Sequence, residues 1–226
     1  MENLNKYNIC SETIMDTTDR KIKFDENNIS DHAINFHKNV KPKWVELQKD
    51  RHGLEKIINK IKTDGKKRDF DCILGLSGGI DSSYMLHLAV NKLKLRPLVF
   101  HVDGGWNSEL AVHNIKVLVE KLNLDLFTEV INWQEMRDFQ LAFFKSGLPN
   151  LDVPQDHAFL ATLYNFASKY KIKYILNGGN ISTECVRNPL EYFYHATDMF
   201  QIFDIKRRFT KNKMPTFPFS SILRHK

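Results

Sequence analysis

The residues of this chain best suited to chemistry gather at Ser77-Gly78-Gly79-Ile80-Asp81-Ser82-Ser83. Glycines let the backbone approach a ligand with no Cβ in the way. Three hydroxyls and one carboxylate surround them. The preceding run, Asp71-Cys72-Ile73-Leu74-Gly75-Leu76, reads as a strand, and Tyr84 to Val90 suits a helix. A strand, a glycine turn and a helix start aim unpaired N–H groups and a positive dipole end at an anion. The predicted ligand is therefore a phosphate. No Lys follows in the Gly-Lys-[Ser/Thr] position, which excludes the common P-loop. A bare Ser-Gly-Gly would suit a plain turn better; all seven residues in this context suit a nucleotide.

Two other glycine loops follow apolar runs. The first is Asp103-Gly104-Gly105-Trp106-Asn107-Ser108-Glu109. Asp103 is placed to accept from ribose hydroxyls or the adenine amine, and Asn107 or Ser108 can cap the next helix. The second is Asn177-Gly178-Gly179-Asn180-Ile181-Ser182-Thr183-Glu184. Taken alone, each also reads as a turn.

Elements must position these loops. Trp44, Leu47, Leu54, Ile57, Ile58 and Ile61 recur at helical spacing over 44–62. Residues 63–69 are a polar connection. Strands are predicted at 71–76, 97–102, 126–131 and 172–177, and helices at 81–93, 108–122, 134–146 and 155–170. That alternation predicts an α/β fold, a parallel sheet with helices on both faces, preceded by an irregular N-terminal segment. Ligands in such sheets bind beyond the carboxyl ends of the strands, where all three loops fall. Two parts are expected, an N-terminal segment over 1–62 and a nucleotide domain over 63–226.

The 226 residues carry 42% hydrophobic and 27% charged side chains, as expected of a globular chain with a substantial core. No apolar run approaches the roughly 20 residues of a membrane helix. The first residues lack an apolar signal core, so the expected location is cytoplasmic. The net charge of +6 suits nucleotide or RNA ligands, but it is dispersed, and no RNA-binding module is appended. Cys10, Cys72 and Cys185 are far apart in sequence and form no Cys-x-x-Cys pair. Cys72 lies inside an apolar strand and reads as packed core.

The 77–83 loop resembles the Ser-Gly-Gly-x-Asp-Ser-Ser loop of the ATP pyrophosphatase (PP-loop) superfamily. Nearly the whole chain resembles one branch, the N-acetyl sugar amidotransferases (WbpG-like, PseA-like) of bacterial surface-polysaccharide and nonulosonic-acid synthesis. The resemblance is carried by Ile14–Asp19, Ile22–Asn27, Trp106-Asn107-Ser108-Glu109, Gln155-Asp156-His157 and Gly178–Glu184. It implies an adenine-nucleotide-hydrolase-like, three-layer Rossmann-like sandwich. Family members carry four cysteines suited to zinc near the N-terminus. The matching positions here are Cys10, Thr13, Ser30 and Ala33, so no four-thiolate zinc site is expected. Members also run on beyond this length, so the chain resembles a C-terminally shortened one.

The reaction implied converts a sugar N-acetyl group to acetamidino. ATP adenylates the amide oxygen, and ammonia displaces AMP. The resemblance implies ATP and Mg²⁺ as cofactors. Ser77, Gly78, Gly79, Ser82 and Ser83 would hold the pyrophosphate. Ser77 and Asp81 would act in catalysis, with Asp81 orienting the loop or placing Mg²⁺. Asp103, Gly178 and Gly179 would also touch the nucleotide. Asn180, Thr183 and Glu184 would line the side of the N-acetylated sugar or sugar nucleotide. No Cys/His glutaminase is evident, so ammonia is expected from a separate glutaminase and cyclase pair like that of histidine biosynthesis. The competing readings are a tRNA-modifying PP-loop enzyme and a non-catalytic nucleotide-binding subunit.

Overall fold

A computed structural model describes residues 7–148, 150–179 and 198–210. The described residues fall into two compact units. One holds 7–56 with 179; the other holds 57–148, 150–178 and 198–210.

In the first unit, residues 7–30 form turns closed by two antiparallel bridges, Ile9 with Asp16 and Phe24 with Ser30. Helix starts within the stretch read as irregular, because Ser30 caps it. Its Oγ accepts from the Ala33 amide at 3.2 Å, opening α1 (Asp31–Asn35). A π-helical turn over Phe36–Val40 leads into α2 (Lys41–Lys49). The helix predicted over 44–62 is broken at Asp50. That carboxylate accepts from the Gly53 amide at 2.7 Å and so starts α3 (Arg51–Gly65) anew.

The same unit brings Cys10, Thr13 and Ser30 together. The buried Cys10 Sγ accepts from the Ser30 amide at 3.2 Å and from the Glu12 amide at 3.5 Å. His32 pairs with Asp19 and His37 with Glu12. Among the described residues, no group of three or more His, Cys, Asp or Glu is placed to hold a metal. Burial pushes the Cys10 thiol up. The Ser30 and Thr13 hydroxyls, with the Ser30 and Glu12 amides, outweigh it and bring the value down to about 6. A thiol whose folded pKa is depressed contributes stability above its unfolded value, and that contribution is lost as pH falls through the folded value. Stability is thus expected to rise from about pH 6 toward pH 9. A difference titration of ultraviolet thiolate absorbance, wild type minus Cys10→Ala, should show a midpoint near 6. A midpoint at the ordinary thiol value would mean that the hydroxyl and amide donors do not face the sulfur.

The second unit is the predicted α/β sheet. Four strands, β1 (Cys72–Gly75), β2 (Pro97–Asp103), β3 (Leu126–Val130) and β4 (Ile175–Leu176), run parallel in the order β3-β2-β1-β4. They alternate with α4 (Ile80–His87, extended by a π-helical turn to Lys92), α5 (Glu109–Leu122), α6 (Trp133–Ser146) and α7 (Val153–Lys169). The helix α8 (Met199–Phe209) follows. Side chains alternate across the sheet, as strand geometry requires. Ile73, Leu98, Phe100 and Val102 pack on one side with Ala167, Phe159, Leu163 and Phe166 of α7. Leu74, Leu76 and Val99 pack on the other with Leu86 of α4 and Ile115 of α5. Ile58 and Ile61 of α3 pack with Cys72 and Leu95. Cys72 is fully buried, and burial pushes its thiol up to about 12, as a packed core residue requires. Phe139 and Phe143 of α6 meet Met199, Ile202 and Ile205 of α8.

One ion pair ties α3 to the sheet. Asp71 is buried, with Oδ1 2.7 Å from Nη2 of Arg96 and Oδ2 accepting from the Arg96 amide at 2.9 Å. The same guanidinium donates to the carbonyls of Gly65 at 2.9 Å and Arg68 at 3.1 Å. The start of β1 is thereby fixed, and with it the loop at its other end. The order β3-β2-β1-β4 places a topological switch between β1 and β4, the crevice where open sheets take ligands.

Candidate nucleotide site

The 77–83 loop leaves β1 at Leu76, whose amide donates to the Phe100 carbonyl at 2.8 Å. The loop is braced from within. The Ser77 amide donates to Ser82 Oγ at 3.2 Å, and the two hydroxyl oxygens lie 3.0 Å apart. The Gly79 amide donates to Ser77 Oγ, and Ser82 Oγ donates to the Gly79 carbonyl, each at 3.3 Å. The Ser77 hydroxyl then donates to Ser82, so both protons are committed inside the loop. The donors left for an anion are the amides of Ile80, Asp81 and Ser82 at the start of α4, which have no intrahelical partners.

Gly78 is buried at φ +79°, a region other residues occupy only at a cost. A Cβ there would stand 2.4 Å from the Ala111 carbonyl oxygen. Asn114 Nδ2 donates to the Gly78 carbonyl at 3.1 Å, so α5 grips the loop from behind. Gly79 differs. Its φ of −76° is ordinary, and its Cβ side is open apart from Ser77 Oγ at 3.4 Å.

Asp81 lies exposed in the first turn of α4 and makes no ion pair with any described residue. Gly178, just past β4, closes on the same turn. A Cβ on Gly178 would lie 2.8 Å from Asp81 C, 2.9 Å from Asp81 O and 3.0 Å from Ser82 N. Gly178, the first glycine of the third loop, therefore lies against the start of α4. Gly179 falls in the other unit. Asn180, Thr183, Glu184 and Cys185 lie outside the described residues.

The second loop is shaped by Asp103, whose Oδ1 accepts from the Gly105 amide at 2.9 Å. Gly105 turns at φ +85° against the Trp133 ring. Trp106 meets Trp133 edge to face at 5.4 Å, and its indole N–H donates to Gln140 Oε1 at 3.2 Å. Ser108 caps α5, its Oγ accepting from the Ala111 amide. Beside the loops lies a pocket of about 410 Å³. Gly75, Leu76 and Ser77 form one wall, His101 and Val102 another, and Trp106 to Ser108 the rim. Gln155 and Phe159 of α7 complete it. Asp103 is not among its lining residues. Sequence reasoning missed His101, Gln155, Phe159 and Asn114. The polar His101 inside an otherwise apolar strand, and Gln155 within the Gln155-Asp156-His157 resemblance, were the signals present in the sequence.

A nucleotide fits this donor set. The cradle under Gly78, the free amides and the half-buried Ser83 hydroxyl suit phosphates, and the carbon-rich pocket suits a base. Magnesium needs only one or two carboxylates when phosphates supply its other oxygens, and Asp81 is the carboxylate at hand.

Residues 71–177, a little under half of the chain, match the family model of the phosphoadenosine phosphosulfate reductase domain. That segment contains the whole sheet, the 77–83 loop and every residue of the pocket. An 85-residue stretch, 38% of this chain and 29% of its relative, is 33% identical to an uncharacterized protein of Methanocaldococcus jannaschii. The NH3-dependent NAD synthetase of Campylobacter jejuni is 22% identical over 57% of this chain and 56% of its own, with a TM-score of 0.42. The glutamine-dependent NAD+ synthetase of Acinetobacter baumannii is 19% identical over 74% of this chain and 34% of its own, with a TM-score of 0.47. The chain thus spans well under two thirds of the length of each. The matched segment, 71–177, is the parallel α/β sheet with its loops and helices. No described helix is long and apolar enough to cross a membrane.

Proposed function

We propose that the chain is an AMP- and pyrophosphate-forming amidotransferase of the PP-loop type, acting on an N-acetylated sugar or sugar nucleotide. The observation that carries the nucleotide part is the loop at the end of β1. The first α4 amides have no intrahelical partners, while Gly78 is locked against α5. The amide oxygen of the N-acetyl group attacks the α-phosphorus of ATP, and pyrophosphate leaves. Ammonia adds to the activated carbon, AMP leaves, a proton is lost, and an acetamidino group remains. The chain's share is positioning and charge stabilisation. The α4 amides and Ser83 would take the departing pyrophosphate. Ser77 and Ser82 keep the loop in shape. Asp81 would hold Mg²⁺, which neutralises phosphate charge when bound.

The sugar assignment is supported by the sequence resemblance at Trp106–Glu109 and the opening segment. A separate ammonia donor is supported by the sequence, which offers no recognisable Cys/His glutaminase. Of the described thiols, Cys72 is sealed in the core with its pKa pushed up to about 12 and is no nucleophile. The reductase-domain match favours a second reading, in which the pocket takes phosphoadenosine phosphosulfate instead of ATP.

The test is pyrophosphate release from ATP by the full chain, given ammonium salt and an N-acetyl sugar nucleotide. Release with ammonium, and with glutamine only after a glutaminase partner is added, is the expected result. Release driven by glutamine alone would remove the partner. Release stimulated by tRNA and by no sugar would move the assignment to RNA modification. Tight binding of phosphoadenosine phosphosulfate with no ATP cleavage would favour the second reading.

A further inference from the structure

The pocket holds a polar pair that phosphate binding does not use. His101 Nδ1 lies 2.8 Å from the Leu76 carbonyl oxygen, and its Nε2 lies 3.1 Å from Asn107 Nδ2. A carbonyl oxygen only accepts, so Nδ1 carries the proton. In the neutral ring Nε2 is then the acceptor, and its partner must donate. That fixes the Asn107 amide with its NH2 group toward His101 and its Oδ1 away from it. Oδ1 has no hydrogen-bond partner among the described residues, and Asn107 lies on the rim of a pocket whose walls are largely carbon. His101 also joins the two loops. It holds the last carbonyl before Ser77 with one nitrogen and the 104–108 loop with the other.

We propose that Asn107 selects the base: its Oδ1 accepts from the exocyclic 6-amino group of adenine. His101 is the positioning residue that keeps this oxygen, and not the NH2 group, turned to the ligand. The proposal rests on the nucleotide reading above. A 6-oxo purine would set its carbonyl oxygen against Oδ1, two acceptors with no proton between them, and be rejected.

The experiment is calorimetric binding of ATP, inosine triphosphate and pyrophosphate to the full chain. The wild type should prefer ATP over inosine triphosphate by about tenfold or more. Asn107→Leu should bring that ratio close to one. Asn107→Asp keeps an acceptor and should retain the preference, even if added charge weakens both nucleotides alike. His101→Leu should lower the ratio while Asn107 is still present. A merely structural role would weaken both nucleotides equally and leave the ratio intact. Pyrophosphate binding with no purine preference in the wild type would overturn this proposal alone, as would full preference in Asn107→Leu. Failure of the wild type to bind ATP or pyrophosphate at all would overturn the nucleotide reading and this proposal with it.

Discussion

Gly78→Ala is expected to destroy ATP binding and to lower stability by on the order of 3 kcal/mol, roughly 6–12 °C in Tm. The new methyl would have to occupy left-handed backbone space and stand 2.4 Å from the Ala111 carbonyl oxygen. The atoms it meets are backbone of α5, which no side-chain rotation can clear. Gly79→Val should behave differently. At φ −76° any residue is tolerated, and the nearest atom to its Cβ is Ser77 Oγ at 3.4 Å. Its stability should stay within about 1 kcal/mol of wild type, the cost of losing a good helix-start residue. Its ATP affinity should nonetheless collapse, because the side chain fills the open space in front of the α4 amides. Thermal unfolding and nucleotide titration of both variants separate the two mechanisms. ATP affinity that survives Gly79→Val unchanged would reduce the loop to a turn. Wild-type stability in Gly78→Ala would mean that α5 does not press on it.

The sequence makes both glycines visible and cannot tell them apart. The difference lies in Ala111 and Asn114, more than thirty residues away and brought up by the β2–α5 crossover. The strands and helices of the second unit are legible for a simpler reason. Apolar runs alternate with helical spacing, so β1, β2, β3 and the helices between them lie within a few residues of their predicted ends. The helices α1 and α8 are not predicted, and two other elements differ from their predicted extent. The helix break at Asp50 depends on one side chain reaching the Gly53 amide. The strand predicted over 172–177 pairs only at Ile175 and Leu176. Ile172 packs with the α7 side of the core, and Tyr174 donates its hydroxyl to Asp64 at 2.8 Å. At the site, a carboxylate ending a strand reads as a ligand to ribose. The fold instead turns Asp103 to the Gly105 amide, a local bond that competes with any ligand for the same oxygen. His101 stayed hidden because its partners, Leu76 and Asn107, belong to loops that meet only once β1 and β2 pair.

Gly178→Ala should separate binding from turnover. Its Cβ would press on Asp81 and Ser82, the peptide units whose amides face the phosphate space, at 2.8–3.0 Å. One side must yield. The loop is held by four hydrogen bonds among Ser77, Gly79 and Ser82 and by Asn114 from α5. β4 is held to β1 by pairing at only two positions, Ile73 with Ile175 and Leu74 with Leu176. The weaker ladder should give, moving the end of β4 and sparing the loop. ATP affinity is then expected to fall by no more than about tenfold, near 1.4 kcal/mol. Turnover should suffer far more. Asn180, Thr183 and Glu184 follow directly in the chain, and the sequence resemblance assigns them to the acceptor. A displacement of about 1 Å in a positioning element can cost on the order of 100-fold in rate. Single-turnover pyrophosphate release at saturating ATP, beside an ATP titration, reads both quantities. A loss of affinity equal to the loss of rate would mean that Gly178 serves the phosphate loop itself. Unchanged affinity and rate would mean that β4 does not close on α4.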